Sequence, residues 1–172
     1  MNDNDVLRRL RFALDLDDQK VIDMFARAGD PVTPDELTAL LMKDGQHGFV
    51  PCPSGRLERF LDTLILDRRG PRTSPVAAAK GGAAEGAESV EEGAEAPPTL
   101  TTNEILKKLR IALDLKEEDI LATIALGDGE VSRPHLRSIF RNAGHKNYRV
   151  CDDELLHAFL NGLTRKLRNK RE

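Results

Sequence analysis

Two seven-residue stretches, LRFALDL at Leu10–Leu16 and LRIALDL at Leu109–Leu115, differ at one position and lie 99 residues apart. Sliding the sequence on itself by 99 residues pairs Asn4–Leu64 with Asn103–Leu163 without a gap, and 17 of the 61 positions are identical. Most of the remainder exchange apolar for apolar or polar for polar. Gapless correspondence over that length marks an internal duplication. The expected organisation is a first repeat over residues 1–70, a linker over 71–99 and a second repeat over 100–172.

The linker, PRTSPVAAAKGGAAEGAESVEEGAEAPP, is rich in Ala, Gly, Glu and Pro, and two Val are its only larger apolar residues. Such a composition cannot bury a core and reads as a flexible tether. Over the whole chain, 40% hydrophobic content provides for a core, while the scarcity of aromatics and the abundance of Leu, Ala, Glu, Lys and Arg favour helices over strands. Charge is uneven. Residues 1–70 carry 10 basic and 13 acidic side chains, and residues 100–172 carry 14 and 11. A polyanion would therefore prefer the second half. The opening MNDNDVLRRL is charged where a signal peptide needs an apolar run, and no stretch approaches ~20 apolar residues, so a cytoplasmic protein with no membrane partner is expected. Cys52 and Cys151, one per repeat, are then free thiols rather than a disulfide.

Each repeat parses into four short helices, making an all-α fold. Val6, Leu7, Leu10, Ala13 and Leu14 fall on one face of a helix over about residues 4–14, and Ile105, Leu106, Leu109, Ala112 and Leu113 repeat that face. Asp15 and Asp114 sit where a second helix can begin, with Asp18 and Glu117 completing an acidic capping box. That helix ends near Gly29 or Gly127. In VTPDEL, Thr33 caps a third helix, Glu36 closes the box, and Val32 and Leu37 form a hydrophobic staple; Val131, Ser132 and Leu136 match, with His135 in place of the Glu. The fourth helix carries Leu57, Phe60, Leu61 and Leu64, repeated as Leu156, Phe159, Leu160 and Leu163. Gly162 lies inside it and predicts a close helix contact in the second repeat only, because Thr63 holds that place in the first. Units of about 65 residues are small for independent stability, so the repeats are expected either to pack on each other about a pseudo-twofold axis or to remain loosely tethered.

The polar identities divide into structure and surface. Asn4 and Asn103 read as first-turn residues. Arg11 with Asp15, and Arg110 with Asp114, read as an i, i+4 pair plus the cap. Before the fourth helix, GQHGFVPCP and GHKNYRVCD share a Gly, an aromatic (Phe49, Tyr148) and the Cys. The histidines do not keep register there, since His47 aligns with Lys146 and His145 with Gln46, so no repeated metal site is expected. A Cys151 nucleophile would use His157, which aligns with Glu58, and a small buried thiol under an aromatic plug accounts for these residues better. Neither a phosphate-binding glycine loop, paired catalytic carboxylates nor a Ser-His-Asp set is present, so neither an enzyme nor a cofactor is expected.

Cations concentrate in the second repeat. Arg133, Arg137 and Arg141 lie on its third helix within ALGDGEVSRPHLRSIFR, which has the flavour of a helix-turn-helix with a longer turn than usual. His145, Lys146, Asn147, Tyr148 and Arg149 follow in a row, and Arg165, Lys166 and Arg168 open a basic tail. Together these eleven residues are the candidate contacts for a partner or for nucleic acid.

The duplicated N-x-x-L-x-x-L-R-x-A-L-D-L and the segment HKNYRVCDDELLHAFLNGL resemble the YehS-like family of bacterial proteins, which carry two tandem copies of a small domain of unknown function. The resemblance covers both repeats, and the first departs from it where Asp62-Thr63 replaces Asn-Gly. It implies architecture and names no catalytic residue. The functional expectation is a non-enzymatic interaction module acting through a surface or groove between or across the repeats, with an unidentified protein partner and an undetermined oligomeric state. Nucleic-acid binding led by the second repeat is the alternative.

Overall fold

A computed structural model describes residues 1–70 and 100–169, so the linker and the last three residues of the tail lie outside it. Eight α-helices form among the described residues, and no strand does. They are α1 (Asp3–Ala13), α2 (Asp18–Arg27), α3 (Pro34–Leu41) and α4 (Ser54–Arg69) in the first repeat. In the second they are α5 (Thr102–Ala112), α6 (Glu117–Leu126), α7 (Arg133–Ile139) and α8 (Asp153–Arg168). None is long and apolar enough to cross a membrane.

The helices begin and end for local reasons. Thr33 and Thr101 each accept the N–H of the residue three on, while Glu36 and Glu104 return the bond to the cap backbone. Asp15 and Asp114 correct the sequence reading. They do not start α2 and α6; Asp17 and Lys116 occupy those N-cap positions. Instead they terminate α1 and α5 with φ of 53° and 50°, in the left-handed region. Leu16 N–H reaches the Arg11 carbonyl at 2.9 Å and Asp15 N–H the Phe12 carbonyl at 3.3 Å, the paired bonds of a Schellman stop. Leu115 and Asp114 repeat both bonds. The LDL of the motif is therefore a helix terminator. Arg11 turns to Asp18, and Asp114 accepts Arg69 at 2.8 Å.

The buried side chains form one cluster whose members recur at the 99-residue offset: Leu7 with Leu106, Leu10 with Leu109, Phe60 with Phe159 and Cys52 with Cys151. Within it the repeats dock through α1 against α8 and α5 against α4. Arg9 on α1 donates to Asn161 Oδ1 and lies against His157 Nε2, both at 2.7 Å. At the offset positions Lys108 on α5 pairs with Asp62 and Glu58. Arg168 stacks on Phe12 with 3.6 Å to the ring centroid, and its equivalent Arg69 pairs with Asp114. Two halves built from equivalent positions describe a pseudo-twofold interface.

One crossing differs between repeats. A Cβ on Gly162 would lie 1.6 Å from the Thr123 carbonyl oxygen, and one on Gly127 1.8 Å from that of Ala158. Only glycine allows α6 and α8 to approach so closely. Thr63 occupies the Gly162 position in α4, where its hydroxyl donates to the Arg59 carbonyl at 2.9 Å.

Candidate functional site: a pinned basic loop and a groove at the repeat junction

The loop between α7 and α8 is held from beneath by one side chain. Asn103 is 5% exposed; its Nδ2 donates to the Ile139 and Arg149 carbonyls at 2.9 and 2.8 Å, and its Oδ1 accepts Cys151 N–H at 2.8 Å. Asn4 does the same for Leu40, Val50 and Cys52. The repeated Asn is thus more than a first-turn residue: it clamps the loop of its own repeat to the first helix. Both thiols are buried under these loops, and burial pushes each up to about 12, which removes the thiolate a nucleophile requires. The aromatics depart from expectation. Phe49 and Tyr148 are only half-buried and stand outside the core, while the buried Asn and Cys lie beneath the loop.

The candidate cations do not converge on one surface. Arg133 and Arg137 of α7 pair with Glu118 and Glu117 of α6 at 3.7 and 2.9 Å. The Arg137 guanidinium holds the Glu117 carboxyl below its ordinary range. On α8, Arg165 pairs with Asp128 at 2.8 Å, Lys166 with Asp119 at 3.5 Å, and Arg168 lies on Phe12. The acidic first turn of α6 therefore engages cations from both α7 and α8. Arg141, His145, Lys146, Asn147 and Arg149 are exposed around the half-buried Tyr148, and Lys146 and Arg149 make no ion pair among the described residues.

A groove of about 640 Å³ opens where α1 meets the α6–α7 turn and the start of α8. Its walls carry Asp5, Glu130, Asp152 and Glu154 together with Arg9, His135 and His157. Sequence reasoning missed it, yet the signal lay in the alignment. In the first repeat Arg56 makes a two-pronged bond to Asp30, at 2.8 and 3.0 Å, with Arg59 3.9 Å away. At the offset positions the second repeat has Leu155, Gly129 and Ala158, all on the groove wall. Losing an ion-paired plug leaves open space and the surrounding carboxylates.

Comparison with known proteins places this architecture. A family model described as "Protein of unknown function (DUF1456)" matches residues 3–70 and again 102–169. The chain is 33% identical over 163 residues to "Uncharacterized protein YehS" of Escherichia coli (strain K12), which covers 95% of this chain and 94% of that protein. No solved structure matches. Two tandem matches and near-complete coverage of a relative at that identity agree with the duplicated helices, and the chain belongs to the DUF1456, or YehS-like, family.

Proposed function

We propose that the protein is a non-enzymatic binding module and that the groove at the repeat junction receives a basic side chain of a protein partner. The supporting observation is the asymmetry of the plug. At the equivalent place in the first repeat an internal guanidinium, Arg56, is held by Asp30, whereas in the second the guanidinium is absent and carboxylates remain around the space. The Met1 ammonium already pairs with Asp153 on this wall, and a partner's Arg or Lys engages Asp152, Glu154 and Glu130, which make no ion pair among the described residues. The flanking α1–α8 contact fixes the groove's width, so the site depends on docked repeats.

The test restores the plug. Leu155→Arg offers the second repeat its own guanidinium. Immobilised full-length wild type and Leu155→Arg are compared for binding of a purified partner, identified first by capture from nuclease-treated lysate. Loss of binding in the variant, with unchanged circular dichroism, is expected; equal binding would refute the reading.

A second reading, nucleic-acid binding by the second repeat, is supported by the exposed cations of the α7–α8 loop, Arg141, Lys146 and Arg149. On this reading the loop leads, because Arg165, Lys166 and Arg168 are engaged within the protein.

A further inference from the structure

We propose that Arg110, Arg137 and Arg141 form a binding site for a phosphate group, with Phe140 as its apolar wall. The three guanidinium side chains and Phe140 line one pocket of about 300 Å³ between α5, α6 and α7, with Glu117 its sole carboxylate among the described residues. This inference deepens the second reading, on which it rests for its source of phosphate, and it is independent of the junction groove.

The pocket arises from an exchange of partners. In the first repeat Arg11 is neutralised by Asp18. At the offset positions Arg110 has lost that arrangement: Glu117 is taken by Arg137 at 2.9 Å, and Arg110 lies over the Phe140 ring at 4.8 Å. Arg110 makes no ion pair among the described residues. The first repeat has Thr38, Leu41 and Met42 where the second has Arg137, Phe140 and Arg141, so only the second has three cations here.

A second observation ties the loop to the same place. The N–H of Asn147 donates to His145 Nδ1 at 3.0 Å, which fixes the ring within its own loop. The other ring nitrogen, Nε2, lies 2.8 Å from Arg141 Nη1, so the imidazole of the loop stands beside the Arg141 guanidinium. Guanidinium forks match phosphate oxygens, and Arg110, Arg137 and Arg141 present them around one pocket. The Asn103 clamp holds the loop that carries His145, so the arrangement is set before a ligand arrives.

The experiment titrates ¹⁵N-labelled full-length protein with inorganic phosphate at constant ionic strength and, in parallel, with a labelled single-stranded RNA. Phosphate is expected to move the amides of Phe140, Arg141 and His145. The double variant Arg110→Gln/Arg141→Gln should bind it about tenfold more weakly or worse, while Arg133→Gln, outside the pocket, binds normally. Weaker RNA binding in the same double variant identifies a polyanion as the source. Phosphate binding without RNA binding identifies a free phosphate and removes the second reading while the site stands. If phosphate leaves those amides unmoved, or the double variant binds as wild type does, the proposal is overturned, and RNA binding retained by that variant would show the second reading surviving through Lys146 and Arg149.

Discussion

Asn103 Oδ1 accepts the backbone N–H of Cys151 at 2.8 Å, and 99 residues earlier Asn4 Oδ1 accepts that of Cys52 at the same distance. Each Asn also donates twice, so one side chain closes three bonds from the first helix of its repeat to the end of the third helix and the loop after it. An Ala at either position leaves two carbonyls and one N–H without their partner. Asn103→Ala should therefore destabilise the protein by about 3 kcal/mol or more in urea unfolding. Asn103→Asp should cost nearly as much, because a carboxylate cannot donate to the Ile139 and Arg149 carbonyls.

At Gly162 a methyl group would collide with the backbone of α6. Gly162→Ala should destabilise the protein by about 2 kcal/mol or more, read as a lower midpoint of thermal unfolding, despite the higher helix propensity of Ala. Thr63→Ala, at the matching position of α4, should cost about 1 kcal/mol or less, since the hydroxyl bonds only within its own helix.

The left-handed stops make an opposite forecast. Asp114 has φ of 50°, and its pair with Arg69 is exposed. Comparing Asp114→Gly with Asp114→Ala removes that pair in both, leaving the backbone term. The Gly variant should be the more stable of the two by about 1 kcal/mol. Equal stabilities would mean that the stop relaxes out of the left-handed region.

Two sets of groups set the pH dependence. Asp67 is held below the ordinary carboxylate range by hydrogen bonds from Arg27 and Lys20, and Glu117 by Arg137. A depressed carboxyl stabilises the fold above its unfolded pKa and loses that contribution as pH falls through the folded value. Stability should decline below about pH 4, with a shallower decline in Asp67→Asn. The thiols have the opposite sign. Folded values raised to about 12 from 9.0 leave their contribution intact below pH 9.0 and remove it as pH rises toward 12. Alkaline unfolding should shift upward in Cys52→Ser and Cys151→Ser relative to their own neutral-pH stability. In the native wild type both thiols should resist alkylation until the chain unfolds.

Much of the fold was legible because burial follows a helical period. Leu7, Leu10, Leu57, Phe60 and their counterparts are core, as the duplicated pattern required, and Thr33 caps α3 as its box implied. Gly162 announced its close crossing for the same kind of reason, being a helix-interior residue without a side chain. What failed was short-range competition: Asp15 can either start a helix or end one, and the preference of LDL for a Schellman stop depends on bonds the sequence does not display. The Asn clamp was hidden because its partners lie 36 to 48 residues away. The junction groove was hidden in another way. Its wall includes positions where the copies disagree, such as Arg56 against Leu155, and a search for shared residues passes over them, whereas Arg137 and Arg141 of the smaller pocket stood out as cations.

The junction groove lies between α1 and the second repeat, so it requires the repeats to be docked. The contact of Arg168 with Phe12, 3.6 Å from guanidinium carbon to ring centroid, links the two directly. Proton NMR of the full-length protein measures it: the account predicts nuclear Overhauser effects between the Phe12 ring and the Arg168 side chain, with the Arg168 δ protons shifted upfield by the ring current. Arg168 protons at random-coil positions, without cross-peaks to Phe12 in a folded chain, would contradict it.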